Sequence, residues 1–223
     1  MFYSKIEMKK ELQSYRTDVA TLLEFMASYP TDRKWMYEHS VVSPMDLLQR
    51  QRHLSLLTSE IQLGSPVPCD ALIFGYDEPD ERHITKVGGM PYWPAKRPWP
   101  KGSDGSAMEF LAQFNFIGSS DILPPLPGEL LTVHVQRAYY EIQGFHCEWH
   151  LIERNCALIS KEDIPEIGDP MVSTPAHAVA CRIDEYPQAS PSSTPSTIDH
   201  WSTLTTIRGG KIGGVPRSFS ERP

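Results

Sequence analysis

Two lysines stand beside paired glycines in a hexapeptide that occurs twice, as KVGGMP at 86–91 and KIGGVP at 211–216. Consecutive glycine amides can form an anion-binding nest, and a neighbouring lysine suits a phosphate. A P-loop, however, places GxxxxGK[ST] between a strand and a helix, and here a proline-rich stretch follows. We therefore interpret the hexapeptide as a tight turn that lets the backbone pass close to another segment. The predicted turn residues are Lys86, Gly88, Gly89, Pro91, Lys211, Gly213, Gly214 and Pro216.

Histidines are the second group of residues whose types could carry out chemistry, and two of them lie in the segment FHCEWHLI at 145–152. In a strand, His146, Glu148 and His150 share one face, and His134 on a neighbouring strand could join them. Two histidines and a carboxylate can hold zinc or iron. The interpretation that we favour is a polar outer face of an antiparallel sheet. The opposite face, which is then expected to point into the core, carries Cys147, Trp149 and Leu151. We predict no metal and no other cofactor.

A catalytic nucleophile is not indicated by any motif. The GxSxG pattern is missing from the sequence, and Gly118-Ser119-Ser120-Asp121 is typical of a turn. A Cys/His pair stays open, since such partners meet only in space. We predict no catalytic residue and favour a protein that is not an enzyme.

Aromatic residues accompany the first hexapeptide in the run KVGGMPYWPAKRPWP at 86–100. Tyr92, Trp93 and Trp99 flank two cations, and exposed aromatics next to cations are typical anchors of protein interfaces. The same side chains could instead close the end of a sheet and be buried. Both interpretations stay open at this point.

The composition limits the classes of partner. The chain has 223 residues, a formal net charge of −7 and a sequence pI of about 5.6. An acidic chain without a run of Lys and Arg is poorly suited to nucleic acid and better suited to a basic partner. No stretch approaches eighteen apolar residues, so no transmembrane helix and no membrane partner are expected.

The four cysteines and the first residues bear on the compartment. The N-terminal sequence MFYSKIEMKKELQS lacks the apolar region of a signal peptide. The cysteines, at 69, 147, 156 and 181, form no CxxC pair. We expect reduced thiols in a cytoplasmic protein. The alternative is a disulfide pair in an exported protein.

The elements that must position these residues divide into two parts. Apolar residues spaced by three and four from Met8 to Tyr29 predict an amphipathic helix, and SPMD at 43–46 predicts the start of a second helix that ends at Gly64. The first helix could pack on its own domain or bind a partner, including a second copy of the chain. Strand-like runs follow at 71–76, 109–117, 129–135, 145–152 and 177–183. The Pro/Ser/Thr-rich segment 187–199 predicts a mobile loop.

This order predicts an α+β fold, with N-terminal helices followed by a mostly antiparallel sheet. The strands are not separated by helical crossovers, so a Rossmann-type sheet is not expected. We place a helical segment at 1–66 and an α+β domain at 67–223.

The run KVGGMPYWP, then RPWP, EFLAQFNF, LPPLPGELLTVHV and finally KIGGVP resembles the YwqG-like family of bacterial proteins over residues 70–216. The resemblance implies a fold with two related halves, each carrying a Gly-Gly-x-Pro motif. It implies no established catalytic residue. Some members lie beside secreted toxins in bacterial genomes, which implies immunity roles for part of the family. The family continues with a further strand after the second motif, so the resemblance predicts that this C-terminal portion is missing here.

These observations predict a non-catalytic protein-binding module, of the immunity type that neutralises a cognate toxin. The predicted contact residues are Tyr92, Trp93, Trp99, Asp77, Glu78, Asp80 and Glu81. The alternative is a small-ligand-binding or enzymatic domain, with a pocket between the two turns near Lys86 and Lys211. The sequence leaves the oligomeric state open.

Overall fold

The computed structural model describes a protein built mainly from antiparallel strands. It describes residues 46–47, 49–50, 54, 61–62, 64–76, 78–138, 141–187, 190–191, 207 and 209–215. The strands are β1 Ile61–Gln62, β2 Val67–Tyr76, β3 Lys86–Val87, β4 Glu109–Asn115, β5 Leu130–Ala138, β6 Glu141–His150, β7 Ala176–Glu185, β8 Ser190–Pro191 and β9 Lys211–Gly213. A 3-10 turn at Ile117–Ser119 follows β4.

The prediction of an α+β fold with N-terminal helices is wrong. Beside the nine strands, helical backbone is confined in the described residues to the 3-10 turn and to Asp46, Leu47, Gln49, Arg50 and Leu54. The second predicted helix does not reach Gly64, because Ile61–Gln62 pairs with β8. Strand pairing here overrides the helical spacing of the apolar residues. The predicted helix at 8–29 and the helix start at 43 lie outside the described residues, as does most of the segment 187–199.

The predictions of the individual strands were more accurate than the prediction of the fold class. Each of the five predicted strands coincides with one of the five longest strands, β2, β4, β5, β6 and β7. The predicted hairpin is β5 and β6, which pair antiparallel from Leu130↔His150 to Ala138↔Glu141. Period-two alternation and flanking turn residues are local signals, and they were sufficient for these elements.

The chain divides into two compact units. Unit 2 comprises Phe74–Ser120 and Pro124–Ala178, and its strands lie in the order β6-β5-β4-β3-β7. The first three residues of β7 belong to this unit. Its buried side chains include Trp93, Leu130 and Val135.

Unit 1 comprises Met1–Ile73, Asp121–Leu123 and Val179–Pro223. In this unit β9 pairs with β2, and β1 pairs with β8. Its apolar core contains Leu47, Cys69, Ala71, Ile73, Cys181 and Ile207. The buried Asp70 accepts hydrogen bonds from the Arg182 guanidinium at 2.6 and 3.2 Å. All four cysteines are in the reduced thiol form, and Cys69 and Cys181 are buried.

Among the described residues, no helix has the length and apolar character needed to span a membrane.

Candidate functional site

The first lysine-glycine turn is closed by an ion pair inside unit 2. Lys86 Nζ donates to Glu78 Oε1 at 2.6 Å, and the Lys86 side chain is fully buried. The Met90 amide, which follows the two glycines, also donates to the Glu78 carboxylate, at 3.2 Å to each oxygen. Burial lowers the pKa of Lys86, while the hydrogen bond and charge of Glu78 act in the opposite direction. The Lys86 ammonium group is therefore bound by a carboxylate of the same chain.

The second turn repeats that arrangement inside unit 1. Lys211 Nζ donates to both oxygens of Glu185 at 2.6 and 2.8 Å, and the Val215 amide donates to Glu185 Oε2 at 2.7 Å. The Ile207 amide adds a further bond to Oε1 at 2.8 Å. Burial raises the pKa of Glu185, but its hydrogen bonds outweigh burial and the net pKa lies below the ordinary value.

The two turns thus share one design: a lysine, two glycines and a nearby amide enclose a carboxylate. Both glycines of each turn have φ between +68° and +73°, which L side chains rarely adopt. A Cβ on Gly89 would overlap Glu78 Oε2. A Cβ on Gly214 would lie 2.5 Å from Glu185 Oε2 and 2.7 Å from Cys69 Cβ. The second glycine is needed because the carboxylate occupies the place of a side chain. Pro216 lies outside the described residues.

We expect Gly214→Ala to lower the free energy of unfolding by about 3 kcal/mol, from left-handed strain and displacement of the Glu185 carboxylate. Gly105→Ala is the matched control, since Gly105 has φ +82° but no atom lies within 4 Å of the place that its Cβ would take. We expect the control to cost about 1 kcal/mol. Urea denaturation of both variants measures the difference. Equal losses would show that the Glu185 carboxylate and Cys69 Cβ do not fill the space beside Gly214.

Gln113 on β4 fixes the segment that carries the first turn. Its Oε1 accepts from the Tyr92 amide at 2.8 Å, and its Nε2 donates to the carbonyls of Arg82 and Ile84 at 2.6 and 2.7 Å. All three bonds are made by a side chain with no exposed surface. A polar residue in the strand EFLAQFNFI was visible in the sequence, but its role depends on segments 21 to 31 positions away.

The aromatic residues of this segment lie mainly in the interior of unit 2. Tyr92 is 3% exposed and Trp93 is 1% exposed, while Trp99 is partly buried. Trp93 contacts Trp99 with ring centroids 5.9 Å apart, and Arg97 lies over the Trp93 ring at 5.7 Å. Of the two open interpretations, the structure places Tyr92 and Trp93 in the buried one, so these side chains do not form an accessible surface.

The histidine face of the β5–β6 hairpin also points inward. His146, Glu148 and His150 do share a face with His134, but His134 and His150 are buried. Cys147 is exposed on the other face. The prediction that the histidine face points outward is therefore wrong. The reason is that Trp93 and Trp99 cover the histidine face, with ring centroids 4.9 and 5.1 Å from His134.

His134 is a neutral side chain in this aromatic surrounding. Burial lowers its pKa to about 3, and the neighbouring His146 and His150 act in the same direction. Neither ring nitrogen has a hydrogen-bond partner among the residues that the structure describes. His150 bonds Thr132 Oγ1 at 2.9 Å, and His146 bonds Glu148 Oε2 at 3.1 Å. In the described part of the chain, no group of three His, Cys, Asp or Glu side chains is arranged to hold a metal ion.

The predicted acidic contact residues have different surroundings. Asp77 lies outside the described residues, and Glu78 is bonded to Lys86. Asp80 is exposed, whereas Glu81 is half-buried and its carboxylate lies 3.2 Å from His83 Nε2. The three described residues therefore differ in exposure and in partners.

A stronger acidic surface lies in the connection between β6 and β7, residues 151–175, which we call the 151–175 loop. It contains no helix or strand of its own. Leu151 is 68% exposed and Met171 is 43% exposed. The loop has two exposed cations, Arg154 and Lys161, and five exposed acids: Glu153, Glu162, Asp163, Glu166 and Asp169. Irregular connections of this length in compact units commonly carry function.

The aromatic segment holds the first half of this loop. The Ala95 amide donates to the Ala157 carbonyl at 2.8 Å, and the Ile159 amide donates to the Trp93 carbonyl at 2.8 Å. The Tyr92 hydroxyl accepts from the Glu153 amide at 2.9 Å. These bonds give the loop a defined backbone path while its charged side chains remain exposed.

Two side chains from the sheet hold the second half. Glu109 Oε1 on β4 accepts from the Met171 amide at 2.5 Å, and Arg137 on β5 donates to the Asp169 carbonyl. The sequence interpretation missed this loop. Its signal was present in the sequence as a long stretch after FHCEWHLI that has no strand-like run and in which acids outnumber bases.

One protein-family model matches residues 85–218, and its description is "Domain of unknown function (DUF1963)". No curated protein matches the chain.

Proposed function

Since the chain belongs to the DUF1963 family, whose function is unknown, we propose from its own geometry that it is a non-catalytic protein-binding module. The 151–175 loop is the proposed contact surface. The observation that carries the proposal is that this loop is exposed, acidic and irregular, yet fixed at both halves by hydrogen bonds to the rest of unit 2. A surface whose backbone is already ordered loses less conformational entropy on binding.

The charge of the loop favours a basic partner. Its five exposed acids outnumber its two exposed cations, and the whole chain carries a net charge of −7. Complementary charge steers association and makes its rate sensitive to salt. The exposed Leu151 and Met171 add apolar contact area toward the two ends of the loop. We propose a cognate bacterial toxin as the partner and an immunity role for this chain.

The proposal also includes a narrower family assignment and a cellular compartment. We assign the chain to the YwqG-like proteins on the order of its motifs, from KVGGMPYWP to KIGGVP. We also propose a cytoplasmic location, supported by four reduced cysteines, of which Cys69 and Cys181 are buried.

The test begins with the wild-type chain immobilised and exposed to lysate from its source cells, with retained proteins identified by mass spectrometry. We expect one stoichiometric basic protein. The double variant Glu162→Gln/Glu166→Gln is then expected to slow association with that protein by roughly tenfold at low salt. Added salt should reduce the difference between variant and wild type.

The matched control is Asp104→Asn/Asp184→Asn, which removes the same charge from exposed positions outside the loop. It should bind at a rate close to wild type. Failure to retain any protein, or equal slowing in both double variants, would overturn the proposed surface. The toxin assignment requires in addition that co-expression of the chain rescues cells from the retained protein.

The ligand-binding alternative has no specific observation in its favour. The two lysines that suggested it, Lys86 and Lys211, each bind a carboxylate within their own unit.

A further inference from the structure

Among the described residues, β6 is an edge strand with exposed side chains. In unit 2 it pairs with β5 on one side, and the described residues provide no strand on its other side. An edge strand carries a row of N–H and C=O groups available to another strand. Phe145 is 62% exposed, and Ile142, Gln143 and Cys147 are exposed as well. An edge of ten residues suits pairing with another extended segment.

The sequence of β6 is complementary to itself. Around Cys147 it reads Phe-His-Cys-Glu-Trp, with an aromatic residue at each end and a base and an acid inside. In an antiparallel pair of two copies centred on Cys147, His146 lies opposite Glu148 of the second copy, and Phe145 lies opposite its Trp149. Within each copy His146 already bonds Glu148 Oε2 at 3.1 Å and Glu148 pairs with Arg97, so the two copies would bring two such acid–base groups side by side. An acid opposite a hydrogen-bonding base and one aromatic residue opposite another are stabilising pairs across strands.

Antiparallel pairs of two copies that are centred on another nearby residue of β6 lack this complementarity. A pair centred on Glu148 would place two carboxylates opposite each other, and a pair centred on His146 would place two imidazoles together. A pair centred on Phe145 would leave Glu148 opposite Ile142. Side chains of directly opposed residues share a face of the sheet, so the residue at the centre of the pair determines which residues lie opposite each other.

We propose that β6 is a self-association surface, at which two copies of the chain extend their sheets by antiparallel β6–β6 pairing centred on Cys147. The interface is isologous, as a twofold axis requires, because each copy supplies the same strand. Pairing of one edge strand buries little area, so the dimer is expected to be concentration-dependent. This inference uses a different surface from the 151–175 loop and does not depend on the proposed function.

Oxidative cross-linking of the whole chain tests the register. Two opposed Cys147 thiols should form a disulfide, losing two protons and two electrons that diamide takes up as it is reduced to its hydrazine. We expect a cross-linked dimer from wild type and from Cys156→Ser, and none from Cys147→Ser. In Cys147→Ser/Gln143→Cys the two introduced thiols would lie about 25 Å apart, so cross-linking should be lost. Equal cross-linking through position 143 would overturn the register.

Sedimentation equilibrium tests the association itself. His146→Glu would place like charges opposite each other and should weaken the dimer at least tenfold. Gln143→Glu adds a charge to the same strand away from the pairing centre and is the control, with an expected change of less than threefold. His146→Gln removes the base without adding a like charge and leaves the Arg97–Glu148 ion pair in place, so it should weaken the dimer less than His146→Glu. A monomer at all concentrations, or equal weakening by His146→Glu and Gln143→Glu, would overturn the proposal.

Discussion

Replacing Glu185 by leucine is expected to lower the free energy of unfolding by about 3–5 kcal/mol, because the change leaves a cation without its partner. The Glu185 side chain has no exposed surface and binds Lys211 Nζ through both oxygens. Leucine also leaves the Ile207 and Val215 amides without the acceptor that they use. Urea denaturation followed by tryptophan fluorescence measures the loss.

A double-mutant cycle separates the ion pair from the general effect of the substitution. Lys211→Met alone should also destabilise, whereas Glu185→Leu/Lys211→Met should be at least about 1 kcal/mol more stable than the sum of the single changes predicts. The same cycle with Glu78→Leu and Lys86→Met should show weaker coupling, because the Glu78 side chain is 31% exposed. Strictly additive losses at 185 and 211 would contradict a direct pair.

The stability of the protein is expected to fall as the pH falls from about 6.5 toward 3, by about 1.4 kcal/mol per pH unit for His134. His134 stays neutral in the fold because burial lowers its pKa to about 3, whereas in the unfolded chain it protonates near its ordinary value. The unfolded state therefore binds more protons in this range, and the contribution of His134 to stability is complete only above about pH 6.5.

His134→Phe is the variant that isolates this effect. Phenylalanine keeps an aromatic ring against Trp93 and Trp99 but cannot titrate. At pH 7.5 we expect its free energy of unfolding to lie within about 1 kcal/mol of wild type, since the change removes two ring nitrogens that have no hydrogen-bond partner in the described part of the chain. Between about pH 6 and 4 its stability should fall less steeply than that of wild type, by the slope of about one proton. Identical pH slopes would show that His134 is not held neutral.

His150 and Glu185 add to the acid sensitivity that remains in this variant. Burial lowers the pKa of His150, so it contributes over part of the same range. The pKa of Glu185 is also lowered in the fold, so its stabilisation is present above its unfolded pKa and is lost as the pH falls through the folded value. The free energy of unfolding of His134→Phe is therefore expected to keep falling as the pH falls below about 4.5.

The local elements of this protein could be predicted from its sequence. Alternating apolar residues between turn formers predicted the five long strands. The repeated hexapeptide predicted a turn at each copy, whereas the structure places Lys86, Lys211 and Gly213 in the short strands β3 and β9. The positive φ of Gly88, Gly89, Gly213 and Gly214 agrees with a conformation that glycine adopts more readily than any other residue. These features depend on neighbours within a few positions, so a single sequence suffices to predict them.

Which face of each strand is buried, and which charges meet, depends on contacts between distant segments. The alternation in β6 separates two faces, but Trp93 and Trp99 select the histidine face for burial, and they come from a segment about fifty positions away. The partners of Lys86 and Lys211 lie eight and 26 positions before them. The 151–175 loop owes its fixed path to backbone bonds from Trp93 and Ala95. Such contacts arise only when the chain folds, and the periodicity of a single sequence carries no record of them.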